Sequence, residues 1–219
     1  MRPELYAHPF SSYCQKVLTA LYENAVPFEF KLIQFQGKAD EEALEAVWPL
    51  KRFPVIVDGD RTVIESTVII EYLQHEYPGP VRLVPDDFDT ALDVRFMDRV
   101  FDNYVMTPMQ QIVSNRLRPE GAADPLGAQR ARDQLERTYR WLDVRLADRE
   151  WAAGAHFSLA DCAAAPSLFY ADWVHEIAPE FENLRTYRAR LLARPSFARA
   201  VDEARQYRPL FPGGAPDRD

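Results

Sequence analysis

Four short segments carry residue types that could do chemistry on a small molecule. The first, Ser11-Ser12-Tyr13-Cys14-Gln15-Lys16-Val17, places two hydroxyls and a thiol where a short strand turns into a helix. A pocket opens at the carboxyl end of such a strand, where the helix N-terminus presents unpaired N–H groups and a partial positive charge. Thiols there have lowered pKa values, and hydroxyls there cap the helix; the plain reading of Ser11 or Ser12 is an N-cap. The second segment is Phe53-Pro54-Val55. Proline tolerates a strand start but not a central ladder. A cis bond before it would turn the Phe53 backbone outward to pair with a peptide-like ligand, although residue type alone favours trans. The third is Glu65-Ser66-Thr67. Ser66 is a good cap, the amides beyond it suit a carboxylate, and Glu65 offers an acceptor for an ammonium. Together they suit an amino acid's two charged ends, or else form a cap beside a surface glutamate. The fourth, Ser158-Leu159-Ala160-Asp161, is a variant capping box and reads as structural.

Composition narrows the classes. The chain has 219 residues, 47% hydrophobic, with 26 basic against 34 acidic side chains and a net charge of −8. That material builds one large core or two modest ones. It lacks the basic footprint a nucleic-acid binder needs to displace counterions. No apolar stretch approaches the roughly 20 residues of a membrane helix, and the N-terminus has no signal core. Cys14 and Cys162 stand far apart without zinc spacing, and the second reads as core. His8, His75, His156 and His175 show no ligand-pair spacing, so no metal is assigned. The expectation is a soluble, reduced, cytoplasmic protein.

The elements that must position these segments differ between the two parts of the chain. Up to about residue 80, strands alternate with helices: a strand at Glu4 to Ala7, a helix from Ser12 to Asn24, a strand at Phe28 to Ile33 and an acidic helix at Ala39 to Val47. A hairpin follows around Asp58-Gly59-Asp60, then a helix from Ser66 to Tyr77 stopped by Pro78-Gly79-Pro80. The order is β-α-β-α-β-β-α, giving an α/β domain over residues 1–79 and a linker over 80–88. Residues 89–219 read as all-helical: Asp89 to Val113 with a kink at Pro108, Ala128 to Leu146, Ser158 to Val174, Leu184 to Ala193 and Pro195 to Gln206. The Pro/Gly-rich tail from Pro209 is expected to hold no helix and to be mobile or draped.

In order and context, these features resemble the cytosolic glutathione transferase superfamily, in its serine-type bacterial branch. The resemblance covers Leu5 to about Gln206, most specifically Phe53 to Leu73 and Phe157 to Asp161. It implies a thioredoxin-like first domain that binds glutathione and a helical bundle as the second, a homodimer, and a detoxifying enzyme. Pro54 would be the family's cis-proline, and Phe53 would contact the cysteinyl part through its backbone, although its ring stands where many members have valine. Glu65 and Ser66 would hold the γ-glutamyl end, with Lys38 or Arg52 reaching the glycine carboxylate. Ser11 occupies the catalytic serine's position, with Ser12 an adjacent candidate, and would donate a hydrogen bond to the glutathione thiolate. Phe10 and Tyr13, with Tyr104, Met106 and Met109 from the second domain, would face the electrophile. Glutathione is the implied cosubstrate, without a metal.

Three functions compete at this level. The first is transfer of glutathione to a hydrophobic electrophile. The second is an isomerase of the maleylacetoacetate type, which shares the paired serines but differs at Tyr13-Cys14-Gln15-Lys16. The third is a non-catalytic or regulatory member, or a thiol reductase with Cys14 in the resolving position, which would want cysteine at position 11. Retention of Ser11, Glu65 and Ser66 favours catalysis.

Overall fold

The computed structural model describes residues 2–34 and 38–219. Its first elements are β1 (Glu4–Ala7), α1 (Ser12–Glu23), β2 (Glu29–Leu32), α2 (Lys38–Val47), β3 (Val55–Asp58), β4 (Arg61–Ile64) and α3 (Ser66–Glu76). The strands lie in the order β2-β1-β3-β4. β1 runs parallel to β2 and antiparallel to β3, and β3 pairs antiparallel with β4 across the Asp58-Gly59-Asp60-Arg61 turn. Gly59 has φ +59°, a conformation that glycine adopts without a Cβ penalty.

Alternation along the strands sends side chains to two faces. Leu5, Ala7, Ile56 and Val63 meet Val17, Leu18 and Leu21 of α1 and Ile69, Ile70 and Leu73 of α3 in the main core. Val55 and the strand-end Ile33 meet Leu44 of α2 in a smaller one. Two amide side chains then hold the segment leaving α3. Asn24 exchanges two hydrogen bonds with the Val81 backbone, both 2.9 Å, and Gln74 does the same with Val84 at 2.8 and 2.9 Å.

The remainder is helical: α4 (Phe88–Val100), a π-helical segment (Phe101–Met106), α5 (Thr107–Arg116), α6 (Pro125–Arg145), α7 (Leu159–Val174), α8 (Glu182–Ala193), α9 (Pro195–Ala204) and a 3₁₀ segment (Arg205–Leu210). α7 is buried along its whole length and packs against α1, α4 and the π segment. Ser158 caps it as expected: its backbone N–H donates to Asp161 Oδ2 at 2.8 Å, and Tyr187 donates to Asp161 Oδ1 at 2.6 Å.

Two expectations need correction. The long helix does not simply kink at Pro108. It widens into the π segment first, with the Thr107 N–H bonded back to the Asp102 carbonyl, and Pro108 then stands in the first turn of α5, where proline is tolerated. The tail does include helical turns, since Pro209 sits inside the 3₁₀ segment, and it is anchored. Phe211 is buried edge-on to Trp173 at 5.0 Å, Arg116 donates to the Pro212 carbonyl at 3.0 Å, and Arg218 pairs with Asp172.

Candidate active site

Between β1 and α1 the chain makes a tight turn. The His8 carbonyl accepts the Ser11 N–H at 3.0 Å, and His8 Nδ1 accepts the Phe10 N–H at 3.0 Å. Burial lowers the His8 pKa, which keeps the Nδ1 lone pair available for that bond. Ser11 holds the N-cap position with extended backbone (φ −85°, ψ 127°), yet its side chain makes no capping hydrogen bond. The plain capping reading therefore fails, and the half-buried hydroxyl stands at the head of α1 beside the more deeply buried Ser12. Cys14 is 0% exposed. Burial pushes its thiol up to about 12, against the smaller opposing pull of the Ser11 side chain and the His8 backbone. A neutral, enclosed thiol has neither the ionisation nor the access that a resolving cysteine needs.

A second tight turn joins β4 to α3. Here Glu65, not Ser66, is the N-cap: its carbonyl accepts the Ile69 N–H at 2.8 Å, and Ser66 is the first helical residue. Glu65 reaches this place with φ 68° and ψ 118°. Such a backbone costs a non-glycine residue about 1–3 kcal/mol and persists where its surroundings over-determine it.

Both turns open on one cleft of about 1590 Å³. Phe10, Ser11, Ser12, Tyr13, Arg52, Phe53, Glu65 and Ser66 all stand on its wall, and the Phe53–Pro54 bond is cis. Burial pushes the Tyr13 phenol up to about 12, with Asp102 adding to the rise, so it stays a hydrogen-bond donor at neutral pH. Lys38 is not on the wall; it projects from α2 into solvent, 3.7 Å from Glu42. Lys51 lines the cleft beside Arg52 instead.

On the opposite wall the structure departs from the expected electrophile set. Met109 lines the cleft with Gln110 and Val113, but Tyr104 is 51% exposed away from it and Met106 lies in the core. Met106 closes the π segment as a fully buried residue, and Met109, one turn on, is the methionine that reaches the cleft.

Several wall residues had little sequence signal. Tyr170 comes from α7, Tyr207 and Leu210 from the 3₁₀ segment, and Phe211 from the tail just beyond it. Arg99 and Asp102 belong to a charge network directly behind the wall. Lys16, fully buried in α1, lies 2.5 Å from Asp98 Oδ1 and 2.8 Å from Asp102 Oδ2, and donates to Thr67 Oγ1 at 2.9 Å. Arg99 completes it with contacts to Asp98, Asp102 and Thr67. A lysine directly before the apolar Val17-Leu18 pair of α1 was the available sign. Among the described residues, no group of three His, Cys, Asp or Glu side chains is placed to hold a metal.

Known proteins resemble the chain over most of its length. Residues 5–81 match the family model described as "Glutathione S-transferase, N-terminal domain", and residues 125–190 match "Glutathione S-transferase, C-terminal domain". Glutathione S-transferase theta-1 of Mus musculus is 29% identical over 76% of this chain and 72% of its own. A probable maleylacetoacetate isomerase of Vibrio cholerae is 26% identical over 91% of this chain and 95% of its own. A crystal structure of a glutathione S-transferase from Methylobacillus flagellatus with glutathione bound aligns with TM-score 0.82 and 28% identity, over 90% of this chain and 98% of that one.

Proposed function

This chain belongs to the glutathione S-transferase family, and we propose that it is a glutathione transferase whose Ser11 hydroxyl holds the glutathione thiolate for attack on a hydrophobic electrophile. The observation that carries this reading is the convergence of Ser11, Glu65, Ser66 and Arg52 on one cleft, with the Ser11 side chain not spent on capping. Glu65 accepts the γ-glutamyl ammonium, and the amides at the head of α3 take its carboxylate. The Phe53 backbone lies along the cysteinyl part, and Arg52 faces the glycine carboxylate. The strained backbone at Glu65 supports a binding role there.

A free thiol has a pKa of about 8.5 and is largely protonated at pH 7. A hydrogen bond from Ser11 and the positive end of α1 both favour the anion. The thiol proton passes to solvent, the sulfur forms a bond to the electrophilic carbon, and the leaving group departs with its electron pair. Ser11 forms no covalent bond. One small-molecule site commonly measures about 300–1,000 Å³; a cleft of about 1590 Å³ leaves room for a second substrate. Phe10, Tyr13, Met109, Val113 and Phe211 give that space an apolar wall, and methionine adapts to varied shapes.

The isomerase reading keeps the support of the Vibrio cholerae relative and the Ser11-Ser12 pair. A dicarboxylate substrate would want cations to spare, however. Among the described lining residues the cations are Lys51, Arg52 and Arg99; Arg99 is neutralised by Asp98 and Asp102, and Lys51 lies 2.7 Å from Glu45. A homodimer and a cytoplasmic, detoxifying role complete the proposal. Phe88, Leu92 and Phe96 are exposed and spaced four apart on α4, and the Trp141 ring of α6 stands edge-on to Phe96 at 6.1 Å; this apolar face suits a two-fold partner.

Turnover of an activated aryl chloride by single variants tests the assignment. Ser11→Ala should lower kcat at least a hundredfold and Ser12→Ala far less, while equal losses, or a larger loss at Ser12, would overturn it.

A further inference from the structure

From Pro9 to Ser11, the turn that presents the hydroxyl has every backbone polar group accounted for. Pro9 has no N–H to place. The N–H groups of Phe10 and Ser11 go to His8, and the Ser11 carbonyl accepts the Gln15 N–H at 2.9 Å. The two remaining carbonyls are taken by side chains. Gln15 Nε2 donates to the Pro9 carbonyl at 3.0 Å and to the Tyr170 hydroxyl at 3.1 Å, and that hydroxyl donates onward to the Phe10 carbonyl at 3.2 Å.

Gln15 is fully buried and Tyr170 nearly so. The amide stands in the core at a cost, because its Oε1 has no partner. A methionine would fill the same space without leaving a buried acceptor unpaired. What only the amide and the phenol supply is the pair of donors to residues 9 and 10. Tyr170 belongs to α7 and is itself fixed from the tail side, with its ring stacked on Phe211 at 6.3 Å and 15°.

We infer that Gln15 and Tyr170 are positioning residues, whose hydrogen bonds to the Pro9 and Phe10 carbonyls fix the direction of the Ser11 hydroxyl. The inference rests on the proposed role of Ser11. A hydrogen bond to a thiolate is directional, and a displacement of about 1 Å at a reacting group can cost a hundredfold in rate. The helical part of the chain thereby sets the geometry of a group carried by the α/β part.

The test titrates the thiol of enzyme-bound glutathione by its thiolate ultraviolet absorbance in full-length variants. Tyr170→Phe deletes one oxygen and keeps the ring in its stack. It should raise the bound thiol's pKa by about 0.5–1 unit and lower kcat at pH 7 by roughly three- to tenfold. In a Ser11→Ala background the same substitution should move the pKa no further, since the two act through one hydroxyl. Gln15→Met removes the other carbonyl's donor, should shift the pKa in the same direction, and replaces the first test if Tyr170→Phe fails to fold. An unchanged pKa in the position 15 and 170 variants, or an equal shift in the Ser11→Ala background, overturns the inference alone. An unchanged pKa in Ser11→Ala overturns the role of Ser11 and this inference with it.

Discussion

Lys16 Nζ lies 2.8 Å from Asp102 Oδ2, and neither side chain is more than 5% exposed. The pair joins the helix behind Ser11 to the helical wall of the cleft, with Asp98 and Thr67 closing the network. Breaking a buried pair by removing one partner leaves an uncompensated charge, typically at a cost of about 3–5 kcal/mol. Lys16→Met should therefore lower stability by that order in urea unfolding. Asp98→Asn and Asp102→Asn in the same chain should recover part of the loss. A change below about 1 kcal/mol would mean that solvent reaches and screens these charges.

His8 links pH to the Ser11 turn. Its folded pKa is lowered from the ordinary value of about 6.5, so its contribution is fully present above that pH and is lost as pH falls toward the folded value. Protonating Nδ1 would also remove the acceptor for the Phe10 N–H. Melting temperature should fall between pH 7 and pH 5, and His8→Asn, which keeps an acceptor in place but does not titrate, should remove that part of the slope. Identical slopes for the two proteins would contradict this account.

Glu65 separates strain from binding. Glycine adopts positive φ without a Cβ penalty. Glu65→Gly should therefore leave stability within about 1 kcal/mol of wild type, or raise it. If the carboxylate holds the γ-glutamyl ammonium, the same variant should weaken glutathione binding at least tenfold. Unchanged affinity would remove Glu65 from the site.

The apolar face on α4 and α6 predicts the assembly state. Wild type should elute as a dimer in size-exclusion chromatography with light scattering, and Phe96→Asp should shift it to monomer at micromolar concentration. A monomeric wild type would refute the proposed interface.

Much of this arrangement was readable because it rests on local rules. Strand-to-helix turns at Ser11 and Glu65 follow from short apolar strands ending in polar, helix-starting residues, and the Asp58-Gly59-Asp60 turn was explicit in residue type. The rest depends on long-range packing. Phe101 to Met106 form a π segment packed on α7, and Met106 is buried there, a contact that periodicity along one helix does not encode. The tail looked too rich in proline and glycine to hold a helix and was open to being mobile or draped; its anchors are single residues, Phe211 and Arg218, whose partners lie far away in sequence. Lys16 has the composition of a surface residue and the position of a core one. Only the fold brings Asp98 and Asp102 to it.

Isothermal titration of the purified protein with glutathione tests the central claim most directly. The account predicts one site per chain with Kd between micromolar and millimolar, about −8 to −4 kcal/mol, weakened when Glu65 and Ser66 are both replaced by alanine in a variant that still folds. Heat-silent mixing with no competition in a second binding assay would contradict it, leaving a member of the family whose cleft serves another ligand.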